Sequence, residues 1–280
     1  MTLSDLIKTA LREDMPSGDL TTDSMALGPR FGQARLIAKE DLVLSGSLAF
    51  EQTMLALDPL AKIQWHFKEG DQVLNRQIIC HLTGDLMQLL KAERVALNFV
   101  GHLSGIATLT RRFVRQVEKT ETKILDTRKT LPGYRELEKK AVAHGGGQNH
   151  RYNLSDAILI KDNHILVAGS LSRAVNRIRE HSSEKIEVEC GNLDEVQEAV
   201  SLNVERILLD NMTNAEISES LKLIPDRIST EASGNMTVDR VKSVAELGVN
   251  FISVGAITHS APTADISLLF DWQESEPSGI

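Results

Sequence analysis

Apolar positions along the N-terminal part of the chain change period several times. Leu3, Leu6, Ile7 and Ala10 recur at helical spacing and predict an amphipathic helix over residues 3–12. Gly18-Asp19-Leu20-Thr21-Thr22 reads as a loop. From Gly32 to Thr83 short β-like runs alternate with turns, at residues 33–38, 42–44, 61–67 and 77–82. A helix is expected at 48–57, and a longer helical pattern runs from Leu86 to about Leu97 and resumes towards Val117. The Glu69-Gly70-Asp71 turn resembles one in a biotinyl-type sandwich. No lysine sits on a hairpin tip there, so the stretch reads as scaffold.

The second part has a different rhythm. Apolar, β-branched runs recur at 124–128, 157–162, 185–190, 206–211, 228–233 and 251–256, each followed by a helical pattern. Runs apolar on both faces suit parallel strands covered by helices. Asn192 with Glu195, and Thr213 with Glu216, fit capping boxes; Thr237 is an expected N-cap before 238–247, with Gly248 as the stop. Six strands fall short of the eight in a full barrel, so either strands are missed or the barrel is incomplete. The strands end in polar groups: Arg128 and Lys129, Lys161 and Asp162, Glu189, Asp210, Glu231 and Ser233, then Gly255. A parallel barrel would bring them all to one mouth, its usual working face.

Composition narrows the class. A chain of 280 residues with 25% charged and 41% apolar residues is ordinary for a globular protein. Its net charge of −8 makes it a poor general binder of nucleic acid or anionic membrane. Two cysteines outside any CxxC pair argue against a disulfide scaffold and a zinc site, and fit a reducing cytosol. No basic stretch followed by an apolar run opens the chain, and no apolar run nears the roughly 20 residues needed to span a bilayer, so a cytoplasmic protein is expected.

Against that acidic background, residues 123–161 carry eight basic and four acidic side chains. Arg135, Lys139 and Lys140 read as a solvated helix face. Arg128, Lys129, Arg151 and Lys161 read instead as a pocket for an anion, since arginine offers a planar fork for carboxylates and phosphates. Glu189 and Asp210 end successive strands and suit magnesium, or salt bridges to the nearby bases. His144-Gly145-Gly146-Gly147 reads as a loop approaching a ligand, and His150 as a ligand contact. There is no GxSxG, Walker A or strand-borne GxGxxG, so acyl transfer and the common nucleotide fingerprints are unsupported. Ser233-Gly234 and Gly255-Ala256 follow the last two strands, where barrels often bind phosphate.

Thr127-Arg128-Lys129-Thr130, Pro132-Gly133, Arg135, Leu137-Glu138-Lys139, Gly145-Gly146-Gly147, Asn149-His150-Arg151 and Lys161-Asp162-Asn163-His164 together resemble the long signature of quinolinate phosphoribosyltransferases. Glu13-Asp14, the 18–22 segment, Glu93-Arg94, Leu103 to Thr108, Leu209-Asp210-Asn211, Glu231-Ala232-Ser233-Gly234 and Val254-Gly255-Ala256 fit in order, over roughly residues 5 to 270. The resemblance implies an α/β fold: an N-terminal α/β sandwich (1–104) and an incomplete, open α/β barrel (105–265), with the tail 266–280 returning to the first domain. It implies transfer of a phosphoribosyl group to quinolinate with decarboxylation, in NAD biosynthesis, by a magnesium-dependent homodimer or larger assembly with shared sites. Arg94 would reach into a neighbouring subunit; Arg128, His150, Arg151 and Lys161 would surround quinolinate. Lys129, Glu189 and Asp210 would face phosphoribosyl diphosphate and its Mg2+, and Ser233, Gly234, Gly255 and His259 would hold the 5′-phosphate. Rival readings are a same-fold paralogue of the molybdenum-transport-associated type and a non-catalytic anion-binding protein.

Overall fold

The structure, a computed structural model, describes residues 2–271. In chain order its elements are α1 (Leu3–Asp14), α2 (Leu20–Ser24), β1 (Phe31–Ala38), β2 (Leu42–Val43), α3 (Ser47–Leu57), β3 (Lys62–Trp65), β4 (Gln72–Val73), β5 (Ile78–Asp85) and α4 (Leu86–Val117). There follow β6 (Lys123–Leu125), α5 (Arg135–His144), β7 (Ile158–Ile160), α6 (Asp162–Ala168), α7 (Leu171–His181), β8 (Ile186–Cys190), α8 (Leu193–Ser201), β9 (Arg206–Asp210) and α9 (Asn214–Leu223). The last are β10 (Ser229–Ser233), α10 (Val238–Ala245), β11 (Phe251–Ser253), α11 (Ala256–His259) and β12 (Ile266–Asp271). The chain forms two compact units, one of residues 1–109, 132–145 and 261–280, the other of 110–131 and 146–260. Among the described residues no helix is long and apolar enough to cross a membrane.

The first unit holds an antiparallel sheet in the order β12-β1-β5-β3. Alternation along β1 buries Ala34, Leu36 and Ala38. These pack with Phe50 and Met54 of α3 and with Leu89, Ala92 and Ala96 of α4 in one core. Leu6, Ile7 and Leu11 of α1 form a smaller core with Val95 and Phe99. Within the returning tail β12 lies against β1, and residues 272–280 fall outside the described residues.

Several local expectations are corrected. The 18–22 segment is not all loop: Asp19 accepts from the backbone N–H groups of Thr21 and Thr22 and caps α2. Strand β4, pairing with β2, has no counterpart among the expected runs, being only two residues long. The helical pattern from Leu86 is not interrupted, because α4 is continuous through Gly101 and Gly105. Those glycines are there for contact. A Cβ on Gly105 would collide with the carbonyl oxygen of Pro262, and one on Gly101 would lie 2.9 Å from Thr263 Cγ2. Gly105→Ala is therefore expected to destabilise the protein by about 1–3 kcal/mol despite alanine's better helix propensity. Denaturant titration checks this; an unchanged midpoint and slope would show that the backbone yields freely.

The second unit is built on a parallel sheet of six strands in the order β6-β11-β10-β9-β8-β7. These are the six runs read from the sequence, and the sheet is open, as an incomplete barrel requires. Beyond β6 the chain at Gln148 takes a strand's place, with Gln148 N–H donating to the Ile124 carbonyl and Asp126 N–H donating to that of Gln148. Ile186, Val188, Ile207, Leu209, Ala232 and Ile252 are buried on one face of the strands. The alternate positions carry Glu187, Glu189, Arg206, Asp210, Glu231, Ser233 and Ser253. One face is thus apolar and the other holds the chemistry. The expected helix starts are present: Asn192, Thr213 and Thr237 cap α8, α9 and α10, with a full capping box at Thr213 and Glu216.

Candidate active site

A cavity of about 810 Å³ lies at the C-terminal ends of the parallel strands. Its walls include Arg128, Lys129, His150, Arg151, Lys161, Glu189, Asp210, Ser233, Gly234, Gly255 and His259. Lys161 stands at the start of α6 and forms an ion pair with Glu189 at the end of β8. Asp210 accepts a 2.6 Å hydrogen bond from the side-chain amide of Asn211. Burial lowers the Arg151 pKa, and the charge of Arg128 lowers it further, against the pull of Glu187. Two guanidiniums held this near each other make a setting that favours an anion.

The loops after β9 and β10 are shaped by backbone geometry. Asn211, Gly234 and Asn235 all have positive φ, at 56°, 90° and 50°. A side chain on Gly234 would overlap that of Asn211, so the position requires glycine on steric as well as conformational grounds. Arg240 ties the two loops together, donating to the carbonyls of Met212 at 2.6 Å and Gly234 at 3.0 Å. Behind the Lys129 loop, Thr258 of α11 donates to the Lys129 carbonyl at 2.7 Å.

Beneath His150 lies a buried charged cluster. His150 Nε2 is 3.1 Å from Glu187 Oε2 and 3.5 Å from Glu231 Oε2. Glu231 is fully buried, accepts from Ser253, and is 3.2 Å from Arg206 Nη1. Arg206 in turn lies 4.3 Å over the Phe251 ring. The backbone N–H of His150 donates to the buried Asp126 at 2.8 Å. Burial would lower the His150 pKa, but the Glu187 hydrogen bond and the charges of Glu231 and Glu187 outweigh it, and Arg206 opposes them, for a net rise. The Glu231 pKa is pushed up to about 7, by burial first and then by Glu187, against the opposing pulls of His150, Ser253 and Arg206.

The family description "Quinolinate phosphoribosyl transferase, N-terminal domain" matches residues 19–104, and its C-terminal counterpart matches residues 106–269. The chain belongs to the quinolinate phosphoribosyltransferase family. It is 43% identical over 263 residues (92% of this chain, 89% of the relative) to a probable nicotinate-nucleotide pyrophosphorylase (carboxylating) of Synechocystis. It is 39% identical over 268 residues (95% and 92%) to a protein of the same description from Bacillus subtilis. The solved nicotinate-nucleotide pyrophosphorylase of Ehrlichia chaffeensis superposes with a TM-score of 0.93 at 39% identity, over 97% of this chain and 99% of that one.

Most of the residues singled out in the sequence line the cavity, but Arg94, Asp162 and the glycine run do not. Arg94 is exposed on α4, and the cavity is lined by residues of the second unit alone. Arg128 and Lys129 lie beyond the end of β6, in the loop that follows it, rather than on the strand. The glycine run does not line the cavity: Gly145 ends α5, Gly146 turns the chain at φ 91°, and His144 Nδ1 meets Ser45 Oγ at 2.9 Å. Lys139 is not on a solvated face but 2% exposed, beside a fully buried Glu138 that His102 meets at 2.9 Å. Sequence reasoning missed Glu187, Arg206 and Ser253, and gave Glu231 no role. One signal was available: Glu187 is two residues before Glu189 and so shares its face of β8.

Proposed function

We propose that this chain transfers the phosphoribosyl group of 5-phosphoribosyl 1-diphosphate to quinolinate, releasing diphosphate and CO2 and yielding nicotinate mononucleotide, in de novo NAD biosynthesis. The observation that carries this reading is one cavity lined by Arg128, Arg151, His150 and Lys161 together with Glu189, Asp210 and two glycine-containing loops. A dicarboxylate and a diphosphate need those two kinds of group. Relatives between 37% and 43% identical support it over a paralogue acting on another substrate.

Arg128, Arg151, His150 and Lys161 would grip the two carboxylates and aim the pyridine nitrogen at the ribose anomeric carbon. Ser233 and the backbone at Gly234 and Gly255, with His259, would hold the 5′-phosphate. The nitrogen's lone pair forms the new bond as diphosphate leaves with the electrons of the broken C–O bond, so the attack itself needs no general base. The positive charge of the resulting pyridinium stabilises the electron pair left on the ring carbon when the adjacent carboxylate departs as CO2, and that pair then takes a proton. Lys129, Glu189 and Asp210 would face the donor. The oxygen donors of Glu189 and Asp210 suit Mg2+, which when bound would neutralise charge on the diphosphate.

The same proposal extends to the assembly and its setting. Residues 1–104 and 105–265 would act as the N-terminal and catalytic domains, a division supported by family matches that meet there, although residues 105–109, 132–145 and 261–265 pack in the first compact unit. The protein works as a homodimer, or a larger assembly, with Arg94 donated across the interface. Leu166 and Val167 of α6 are 77% and 89% exposed, and a second copy of the chain would cover such residues. Two buried, free cysteines support a reducing cytoplasm. The test is purified protein with quinolinate, phosphoribosyl diphosphate and magnesium. Nicotinate mononucleotide and diphosphate are expected only when all three are present; equal turnover with nicotinate in place of quinolinate would refute the essential second carboxylate.

A further inference from the structure

We infer that Glu187 and Glu231 are positioning residues for His150, holding its imidazole charged and fixed in orientation so that it meets a substrate carboxylate as a cation. This rests on the proposed function and adds to it Glu231, at the cavity wall, and Glu187 behind it. His150 is a wall residue whose Nε2 is turned to two buried carboxylates, at 3.1 and 3.5 Å. The nearer contact, a hydrogen bond to the Glu187 carboxylate, places a proton on Nε2. A neutral ring would then have no proton on Nδ1. Two carboxylates on one side favour the doubly protonated form, which offers N–H on both edges.

The charged groups facing His150 come from every neighbouring element. They are Glu187 of β8, Arg206 of β9, Glu231 of β10 and Asp126 after β6, with Arg128 and Arg151 at the cavity. Ser253 of β11 adds a hydroxyl that donates to Glu231. His150, Glu187 and Glu231 are of a type that also holds metal ions. Arg206, at 3.2 Å from Glu231, already occupies the position of a counter-cation and would repel another. Replacing Glu187 removes a cause that raises the His150 pKa, so the pH at which the ring loses its charge must fall.

The experiment compares wild type with Glu187→Gln in quinolinate binding by calorimetry, and in the KM of each substrate, from about pH 5.5 to 8.5. Glu187→Gln is expected to weaken quinolinate by about tenfold near neutral pH, with the KM for phosphoribosyl diphosphate little changed. The gap should narrow towards low pH, where the variant's ring is charged again; a merely structural defect would not recover. Imidazole NMR on the wild-type protein gives a second reading that needs no variant. There His150 must titrate above an ordinary histidine, and a lower value would overturn the assignment. If the wild type turns over and Glu187→Gln keeps both its quinolinate affinity and its pH profile, this inference fails while the proposed function stands. A wild type without turnover would instead sink the function itself.

Discussion

Glu189→Ala and Asp210→Ala are each expected to lower kcat/KM for phosphoribosyl diphosphate by on the order of 100-fold or more, about 2.7 kcal/mol of lost transition-state stabilisation. Both carboxylates line the cavity at the ends of adjacent strands. Their surroundings make the two variants distinguishable. Glu189 is tied to Lys161, a base that the other substrate needs, whereas Asp210 is held by Asn211. Removing Glu189 frees Lys161, so quinolinate should bind Glu189→Ala at least as tightly as wild type. Removing Asp210 should leave quinolinate binding unchanged. Calorimetry with quinolinate alone, beside steady-state kinetics with magnesium varied, separates these effects. Variants that keep wild-type turnover and magnesium dependence would remove both residues from the donor site.

Mixing Arg94→Ala subunits with Lys161→Ala subunits should restore activity that neither variant has alone. Each single variant is expected to lose on the order of 100-fold. Arg94 is exposed on α4, and no other residue proposed for the site lies in the first unit. If Arg94 serves a neighbour's cavity, a mixed dimer has one site with both defects and one with neither. Recovery to at most about half the wild-type rate per mixed dimer follows from two-fold symmetry. Exchange is followed with differently tagged subunits. Confirmed exchange without recovery would mean that Arg94 works within its own chain or outside catalysis.

What the sequence made legible follows the reach of each signal. The six parallel strands were visible as apolar, β-branched runs in a βα rhythm, but only one of their faces is apolar, as with Val188 and Cys190 or Ile207 and Leu209, not both as expected. The wall residues were visible because charged groups at the ends of such strands are hard to explain otherwise. Glu187 and Glu231 were harder to read because they sit inside the sheet, where a carboxylate persists only with partners. Those partners, His150 and Arg206, are far off in sequence. Lys139 misled because mixed charges at helical spacing look solvated until the helix is packed. The break expected after Leu97 is absent because α4 runs on through Gly101 and Gly105, which admit close contacts instead of ending the helix.

An open parallel sheet carries a hazard that a closed barrel lacks. Its edge strands offer unpaired backbone groups on which another chain's strand can grow, above all while a nascent chain is still folding. This sheet limits both edges. β7 is three residues long, too short a template to hold a foreign strand. Across the sheet, Gln148 already pairs with the free side of β6. The open side of the sheet is therefore not also a seam for aggregation, and this chain can keep its barrel unclosed.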